Sequence, residues 1–108
     1  MSDITRVALD AMGGDHAPAE MVKGAIEAVN KRDDIKILLT GQEALLKKAL
    51  SEYTYPKDRI EIIPASEVIE TAEPPVMAIR RKKDSSIVVA MNLVKKGEAD
   101  AFVSEIGR

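Results

Sequence analysis

A short segment near the start of the chain brings together residue types that can bind or act on an anion. Residues 10–18 read Asp-Ala-Met-Gly-Gly-Asp-His-Ala-Pro and lie between an apolar strand pattern and a helical one. In a parallel sheet, that junction is the carboxyl edge, where ligands bind. Adjacent glycines permit positive φ and a close approach to the backbone, and free N–H groups at a helix start favour phosphate. The same pair is also typical of a tight turn without a ligand.

Individual roles can be assigned within this segment. The predicted phosphate ligands are the backbone groups of Met12, Gly13, Gly14 and Asp15. Asp10 and Asp15 are suited to organising the loop by accepting N–H bonds and capping the helix, and Asp10 is also a candidate catalytic group. His16, the only histidine, is a candidate general base or phosphate ligand because its ordinary pKa of about 6.5 suits both; helix capping is its alternative role.

A second candidate site is a basic run that directly precedes two serines and a predicted helix. The helix dipole and the serine hydroxyls would there favour an anion such as phosphate. Ordinary solvated surface charge is the alternative. We expect residues 80–86 and the backbone of residues 12–15 to lie at the carboxyl edge of the sheet and to form part of one anion-binding cleft. The predicted phosphate-binding residues of this second site are Arg81, Lys82, Lys83, Ser85 and Ser86.

Spacing excludes two familiar nucleotide motifs. Gly13 and Gly14 are adjacent rather than arranged G-x-G-x-x-G, and the second predicted strand ends in Thr40-Gly41 without an acidic residue for a ribose, which argues against NAD. A P-loop is excluded because no Gly-Lys-Ser/Thr follows.

The absence of Cys and the single His leave no thiolate or multi-histidine metal site within one chain. No cofactor and no metal are predicted.

Length and composition indicate one soluble globular domain. The chain has 108 residues, of which 45% are hydrophobic and 31% charged, and a formal charge of −2. This charge and the 3% aromatic content argue against nucleic-acid binding. The longest apolar run, Ile87 to Met91, is far shorter than the roughly 20 residues of a membrane-spanning helix. Without a signal-peptide pattern, a cytoplasmic location with at most peripheral membrane contact is expected.

Apolar periodicity predicts an alternation of strands and helices. Strands are expected at about 4–10, 35–40, 59–63 and 99–104. Helices are expected at 18–31, at 43–53 and from 86, with a loop at 64–74 and a short helical stretch around Met77 and Ile79. Right-handed crossovers then predict a three-layer α/β/α, Rossmann-like open parallel sheet with strand order 3-2-1-4.

The helical stripes identify candidate core residues. In the first helix these are Met21, Val22, Ala25, Ile26 and Val29, and in the second Leu45, Leu46, Ala49 and Leu50. In the third they are Ile87, Ala90, Met91 and Val94. Ser85 or Ser86 is the expected cap of this third helix, and Gly97 the expected left-handed residue at its end.

Three segments, in this order, resemble the bacterial phosphate acyltransferase family of phospholipid synthesis. They are residues 10–18, residues 73–86, which read EPPVMAIRRKKDSS, and residues 95–104, which read KKGEADAFVS. The resemblance implies transfer of a fatty acyl group from acyl-carrier protein to inorganic phosphate, giving an acyl phosphate. It also implies a homodimeric, peripherally membrane-associated cytoplasmic α/β enzyme.

The chain departs from the family pattern after Ser104. Family members continue there with a turn of the type Ala-Gly-Asn-Thr-Gly-Ala and a much longer chain, whereas residues 105–108 read Glu-Ile-Gly-Arg. Residues 1–104 are therefore expected to be the N-terminal α/β portion of such an enzyme, residues 105–108 a divergent truncated tail, and the 108-residue chain inactive alone. The alternative is a non-catalytic α/β module that binds a phosphorylated metabolite.

Overall fold

A computed structural model describes residues 4–13, 17–67, 77 and 83–104. The described elements are, in chain order, β1 (Thr5–Asp10), α1 (Ala19–Lys31), β2 (Ile35–Gly41), α2 (Glu43–Leu50), a 3-10 turn (Lys57–Arg59), β3 (Ile60–Pro64), α3 (Ser86–Lys95) and β4 (Ala101–Val103).

The four strands form one parallel sheet in the order β3-β2-β1-β4. β1 is central, and its Ala8 lies beside Leu38 of β2 on one side and Phe102 of β4 on the other. This arrangement confirms the predicted fold class, the strand order and the position of each strand to within a few residues. The proposed boundary at residue 104 stays a prediction.

Alternate residues of the strands point to opposite faces, and each face is covered by helix. One core cluster joins the sheet to α1 and α2 and includes Leu9, Leu39, Val22, Ile26 and Leu46. The other joins the sheet to α3 and includes Ala8, Leu38, Ala90 and Leu93. The predicted three-layer α/β/α packing is therefore confirmed.

The helices differ from the sequence-based expectation mainly in α2. Leu46 and Leu50 are buried as predicted, but Leu45 is 43% exposed, so its predicted burial is wrong. Consecutive helical residues lie roughly 100° apart around the axis, so Leu45 falls on the flank when Leu46 faces the sheet. The helix also ends at Leu50 rather than near Tyr53, and the Ser51 hydroxyl donates to the Lys48 carbonyl at 2.6 Å as the chain leaves it.

Helices α1 and α3 follow their predicted patterns closely. In α1, Val22, Ala25, Ile26 and Val29 are buried and Met21 is partly buried. In α3, Ile87 and Ala90 are buried as predicted, whereas Met91 and Val94 are only partly buried and Leu93, which the pattern did not predict, is buried. Gly97 has a φ of 81°, which confirms its predicted left-handed conformation after α3.

Between β3 and α3 only part of the chain is described. Pro64, predicted as loop, is the last residue of β3, and Glu67 forms an isolated parallel bridge with Ser85. Met77 is helical and exposed, whereas Ile79 and residues 68–76 lie outside the described residues. None of the helices described is long and apolar enough to cross a membrane.

Candidate functional site

A buried carboxylate lies at the centre of the carboxyl edge of the sheet. Asp10, the last residue of β1, has no exposed surface. Its Oδ1 accepts hydrogen bonds from the Ser86 hydroxyl and from the Met12 N–H, the latter at 3.2 Å. Its Oδ2 accepts a 2.8 Å bond from the Ser104 hydroxyl. Asp10 therefore joins the loop after β1, the start of α3 and the end of β4.

The topology explains why residues so distant in sequence meet at Asp10. β1 and β4 are parallel neighbours, so Asp10 and Ser104 leave the sheet at the same edge. Ala8 and Asp10 share the face of β1 that α3 covers, so the first residue of α3, Ser86, comes to lie over the carboxylate. The predicted convergence of the β1 loop with the start of α3 is thus present for Asp10, Met12 and Ser86.

Ser86 is held from three sides. Its hydroxyl donates to Asp10, and its N–H donates to the Glu67 carbonyl at 3.2 Å. Its carbonyl accepts a 2.7 Å bond from the hydroxyl of Thr40, a fully buried residue near the end of β2. Because both donors of Ser86 are engaged within the protein, its predicted contact with phosphate would require one of these bonds to be exchanged.

Gly13 packs directly on the carboxylate of Asp10. A Cβ atom at Gly13 would lie 2.7 Å from Asp10 Oδ2 and 3.2 Å from Ser104 Oγ, closer than side chains tolerate. Among the glycines described, only Gly97 has positive φ, so Gly13 does not use the positive φ that adjacent glycines permit. Glycine is needed at this position because the backbone passes too close to Asp10 for a side chain.

Met12 extends toward the α2 side of the sheet. A Cβ atom on Gly41 would lie 2.7 Å from Met12 Cγ and 3.2 Å from a methyl carbon of Leu46, so the thioether crosses the end of β2. The Met12 N–H already donates to Asp10. Its assignment as a phosphate ligand stays a prediction, and its amide would have to leave Asp10 to serve that role.

A carboxylate clamp connects the loop after β3 to the start of α3. The Asp84 carboxylate accepts bonds from the N–H and the hydroxyl of Ser66, the former at 2.9 Å. These two bonds hold the pKa of Asp84 below its ordinary value. The Asp84 N–H donates to Glu67 Oε1 at 3.1 Å, so Asp84 both accepts bonds from the loop after β3 and donates one to it.

Ser85 is the cap residue of α3, but its hydroxyl does not cap. The residue is fully buried, and its Oγ has no hydrogen-bond partner among the residues described. Lys83, two residues earlier, is exposed. The remaining predicted site residues, which are Gly14, Asp15, His16, Arg81 and Lys82, lie outside the described part of the chain and stay predictions.

Two members of the cluster were not assigned a role from sequence. Thr40 and Ser104 each stand at the carboxyl end of a strand, Thr40 next to the last residue of β2 and Ser104 directly after β4. The signal that identifies them is a hydroxyl residue at the end of an apolar strand in a predicted parallel sheet, because such strand ends share one edge.

The described part of the site holds a negative charge without a cation beside it. Within residues 4–13, 17–67, 77 and 83–104, no Lys or Arg forms an ion pair with Asp10, and no group of three acidic or imidazole side chains could hold a metal. Three neutral donors therefore stabilise the carboxylate.

Fold and site together define a parallel α/β protein whose carboxyl edge is organised by a buried aspartate between two loops and a helix N-terminus. The sequence profile of the family described as "Fatty acid synthesis protein" matches residues 5–106, and the chain belongs to that family.

Relatives within the curated proteins carry a more specific description. The chain is 50% identical over 99 residues to a "Phosphate acyltransferase" of Halothermothrix orenii, and 54% identical over 99 residues to one of Alkaliphilus oremlandii. A third, from Clostridium kluyveri, is 53% identical over 98 residues. These matches cover 91–92% of this chain but only 29–30% of each relative. The chain thus spans about 30% of the length of the relatives that it matches.

Proposed function

We propose that this chain forms part of a phosphate acyltransferase, which transfers a fatty acyl group from acyl-carrier protein to inorganic phosphate. The observation that carries the proposal is the identity of half of its matched residues with relatives of that description. The candidate site adds physical support, because a helix N-terminus held at the carboxyl edge of a parallel sheet is a suitable environment for phosphate.

The proposed reaction needs positioning more than acid–base chemistry. An oxygen of hydrogen phosphate attacks the thioester carbonyl carbon, forming a C–O bond, and the C–S bond then breaks. The proton of hydrogen phosphate passes to the departing thiolate, so the products are an acyl phosphate and the thiol of the carrier. Hydrogen phosphate is itself a competent nucleophile, so orientation of the reactants and stabilisation of the carbonyl oxyanion are the main requirements.

Asp10 has a positioning role in this proposal. It holds the first residue of α3 and the residue after β4 at fixed places around the β1 loop. Its carboxylate is enclosed by Gly13, Ser86 and Ser104, which leaves it without contact to solvent. Direct catalysis by Asp10 is therefore disfavoured. His16 remains the candidate base or phosphate ligand of the β1 loop.

The partners and location follow from the same proposal. The positive charges of Arg81, Lys82 and the exposed Lys83 would attract the acidic carrier protein, because complementary charge speeds encounter. The enzyme would act as a homodimer in the cytoplasm, in peripheral contact with the membrane that receives its product.

A segment exchange tests the function directly. The matched 99 residues of the Halothermothrix orenii protein are replaced by the corresponding residues of this chain, and acyl phosphate formation from acyl-carrier protein and phosphate is measured. We expect turnover within about tenfold of the unexchanged relative. As a matched control, the same exchange carrying Asp10→Ala should lose most activity. A folded exchange protein without turnover would refute the proposal and would favour the non-catalytic binding module.

A further inference from the structure

The hydroxyl of Ser85 differs from every other hydroxyl described at this edge of the sheet. Ser86 and Ser104 donate to Asp10, and Thr40 donates to the Ser86 carbonyl. Ser85 is as fully buried as Ser86 and Thr40, but its Oγ has no partner among the described residues. A buried hydroxyl without a partner is unfavourable, so such a group calls for a hydrogen-bonding partner such as an ion or a water molecule.

The position of Ser85 gives that hydroxyl a helix N-terminus as its neighbour. A serine at the cap usually accepts a bond from an N–H of the first turn, but Ser85 makes no such bond. The first-turn N–H groups of Ile87 and Val88 have no carbonyl within the helix to bond. A hydroxyl donor, two N–H groups and the positive end of a 10-residue helix therefore occur together.

We infer that the Ser85 hydroxyl and the first turn of α3 bind a phosphate group, with Ser85 acting as a donor to one phosphate oxygen. The inference deepens the proposed function and rests on it for the choice of phosphate. The carboxylate of Asp10 accepts its bonds from Met12, Ser86 and Ser104, and that of Asp84 accepts from Ser66, so neither carboxylate takes the Ser85 hydroxyl as a donor. The exposed Lys83 adds positive charge nearby.

Binding of phosphate to the 108-residue chain provides the primary test. Inorganic phosphate is titrated at constant ionic strength into the native chain and into Ser85→Ala and Ser85→Gly, which both remove the hydroxyl without adding volume. Ser51→Ala, an exposed serine after α2, is the matched control. A hydrogen bond to a charged group implies that either Ser85 variant weakens phosphate affinity roughly tenfold or more. The control should bind as the native chain does.

A stability measurement separates phosphate from a buried water. If phosphate is the partner of the Ser85 hydroxyl, that hydroxyl adds no stability in phosphate-free buffer. Ser85→Ala should then unfold at the same urea concentration as the native chain or at a higher one. Phosphate should then stabilise the native chain more than the variant. If the variant is less stable without phosphate and its phosphate affinity is unchanged, the hydroxyl bonds a structural water and the inference is wrong. No phosphate binding by the native chain would also overturn it.

The source of the phosphate group is resolved by a second titrant. Tighter binding of 4′-phosphopantetheine than of inorganic phosphate would assign the site to the carrier's prosthetic group, and the reverse order to the acyl acceptor. In the active exchange protein, Ser85→Ala should raise KM for the matching substrate with little change in kcat. If Ser85→Ala leaves KM unchanged in an active exchange protein, the inference about Ser85 is wrong but the proposed function stands. If the exchange protein binds phosphate through Ser85 but has no turnover, the proposed function is wrong and the inference about Ser85 stands.

Discussion

Removing the carboxylate of Asp10 should destabilise the chain more than any exposed acidic substitution. Asp10→Ala leaves the Ser86 hydroxyl, the Ser104 hydroxyl and the Met12 N–H without their acceptor. Each bond to a charged group contributes about 1.5–3 kcal/mol, and contributions within one network are not additive. We therefore expect a total loss of about 4 kcal/mol in the free energy of unfolding, which is a large part of the stability of a domain this size.

The conservative variant divides this loss into parts. Asp10→Asn keeps one oxygen for Ser86 and Met12, but places an NH₂ group opposite the Ser104 hydroxyl. The expected cost is about 1–2 kcal/mol, or a fall in Tm of roughly 10 °C. Urea unfolding of the native chain, of both variants and of Asp58→Ala, an exposed control in the 3-10 turn, measures the series. If Asp10→Ala falls within about 0.5 kcal/mol of the control, the buried network does not contribute as described.

Three further outcomes follow from the described contacts. Gly13→Ala should destabilise by about 2 kcal/mol through its clash with Asp10, whereas Gly24→Ala, which meets nothing within 4 Å, should stabilise α1 by about 1 kcal/mol; urea midpoints compare them. Thr40→Val should lower stability by about 1 kcal/mol in the same assay, since the Ser86 carbonyl loses its donor. The pKa of Asp84 is lower in the folded chain than its unfolded value of 3.8. The ionised Asp84 carboxylate therefore stabilises the fold fully above pH 3.8, and this stabilisation is lost as the pH falls below that value toward the folded-state pKa. Ser66→Ala should therefore reduce the loss of stability between pH 5 and pH 2, and an unchanged pH profile would contradict that cause.

Local pattern was sufficient to predict the sheet and most of its core. β1 and β2 read as apolar runs because they are buried on both faces, and the stripe of α1 has the period of a helix packed on a sheet. The exposure of Leu45 could not be predicted in the same way, because an eight-residue helix offers several overlapping apolar stripes. The rotation that places Leu46 inward depends on tertiary packing, which periodicity alone does not specify.

The candidate site was predicted in outline but not in its bonding. Asp10 was placed correctly at a strand end because the apolar run stops there, and Ser86 because a helix pattern begins there. The bond between them depends on which face of β1 is covered by α3, a property of the whole topology. Positive φ and a close approach to the backbone both require glycine and give the same sequence signal, so the sequence could not show that Gly13 is needed for its close packing on Asp10.

The pairing of β1 with β4 also determines when the site can form. Of the four described strands β1 is synthesised first, yet it lies inside the sheet, and the Ser104 bond to Asp10 joins positions 94 residues apart. Contacts of such long sequence separation slow folding, because the chain loses entropy on closing the loop before the contacts that offset this loss have formed. On the ribosome, β1 can pair with β2 while its other edge stays open until β4 emerges. The carboxylate of Asp10 therefore acquires its last donor only after residue 104 has left the exit tunnel, so the candidate site is among the last parts of the described fold to mature.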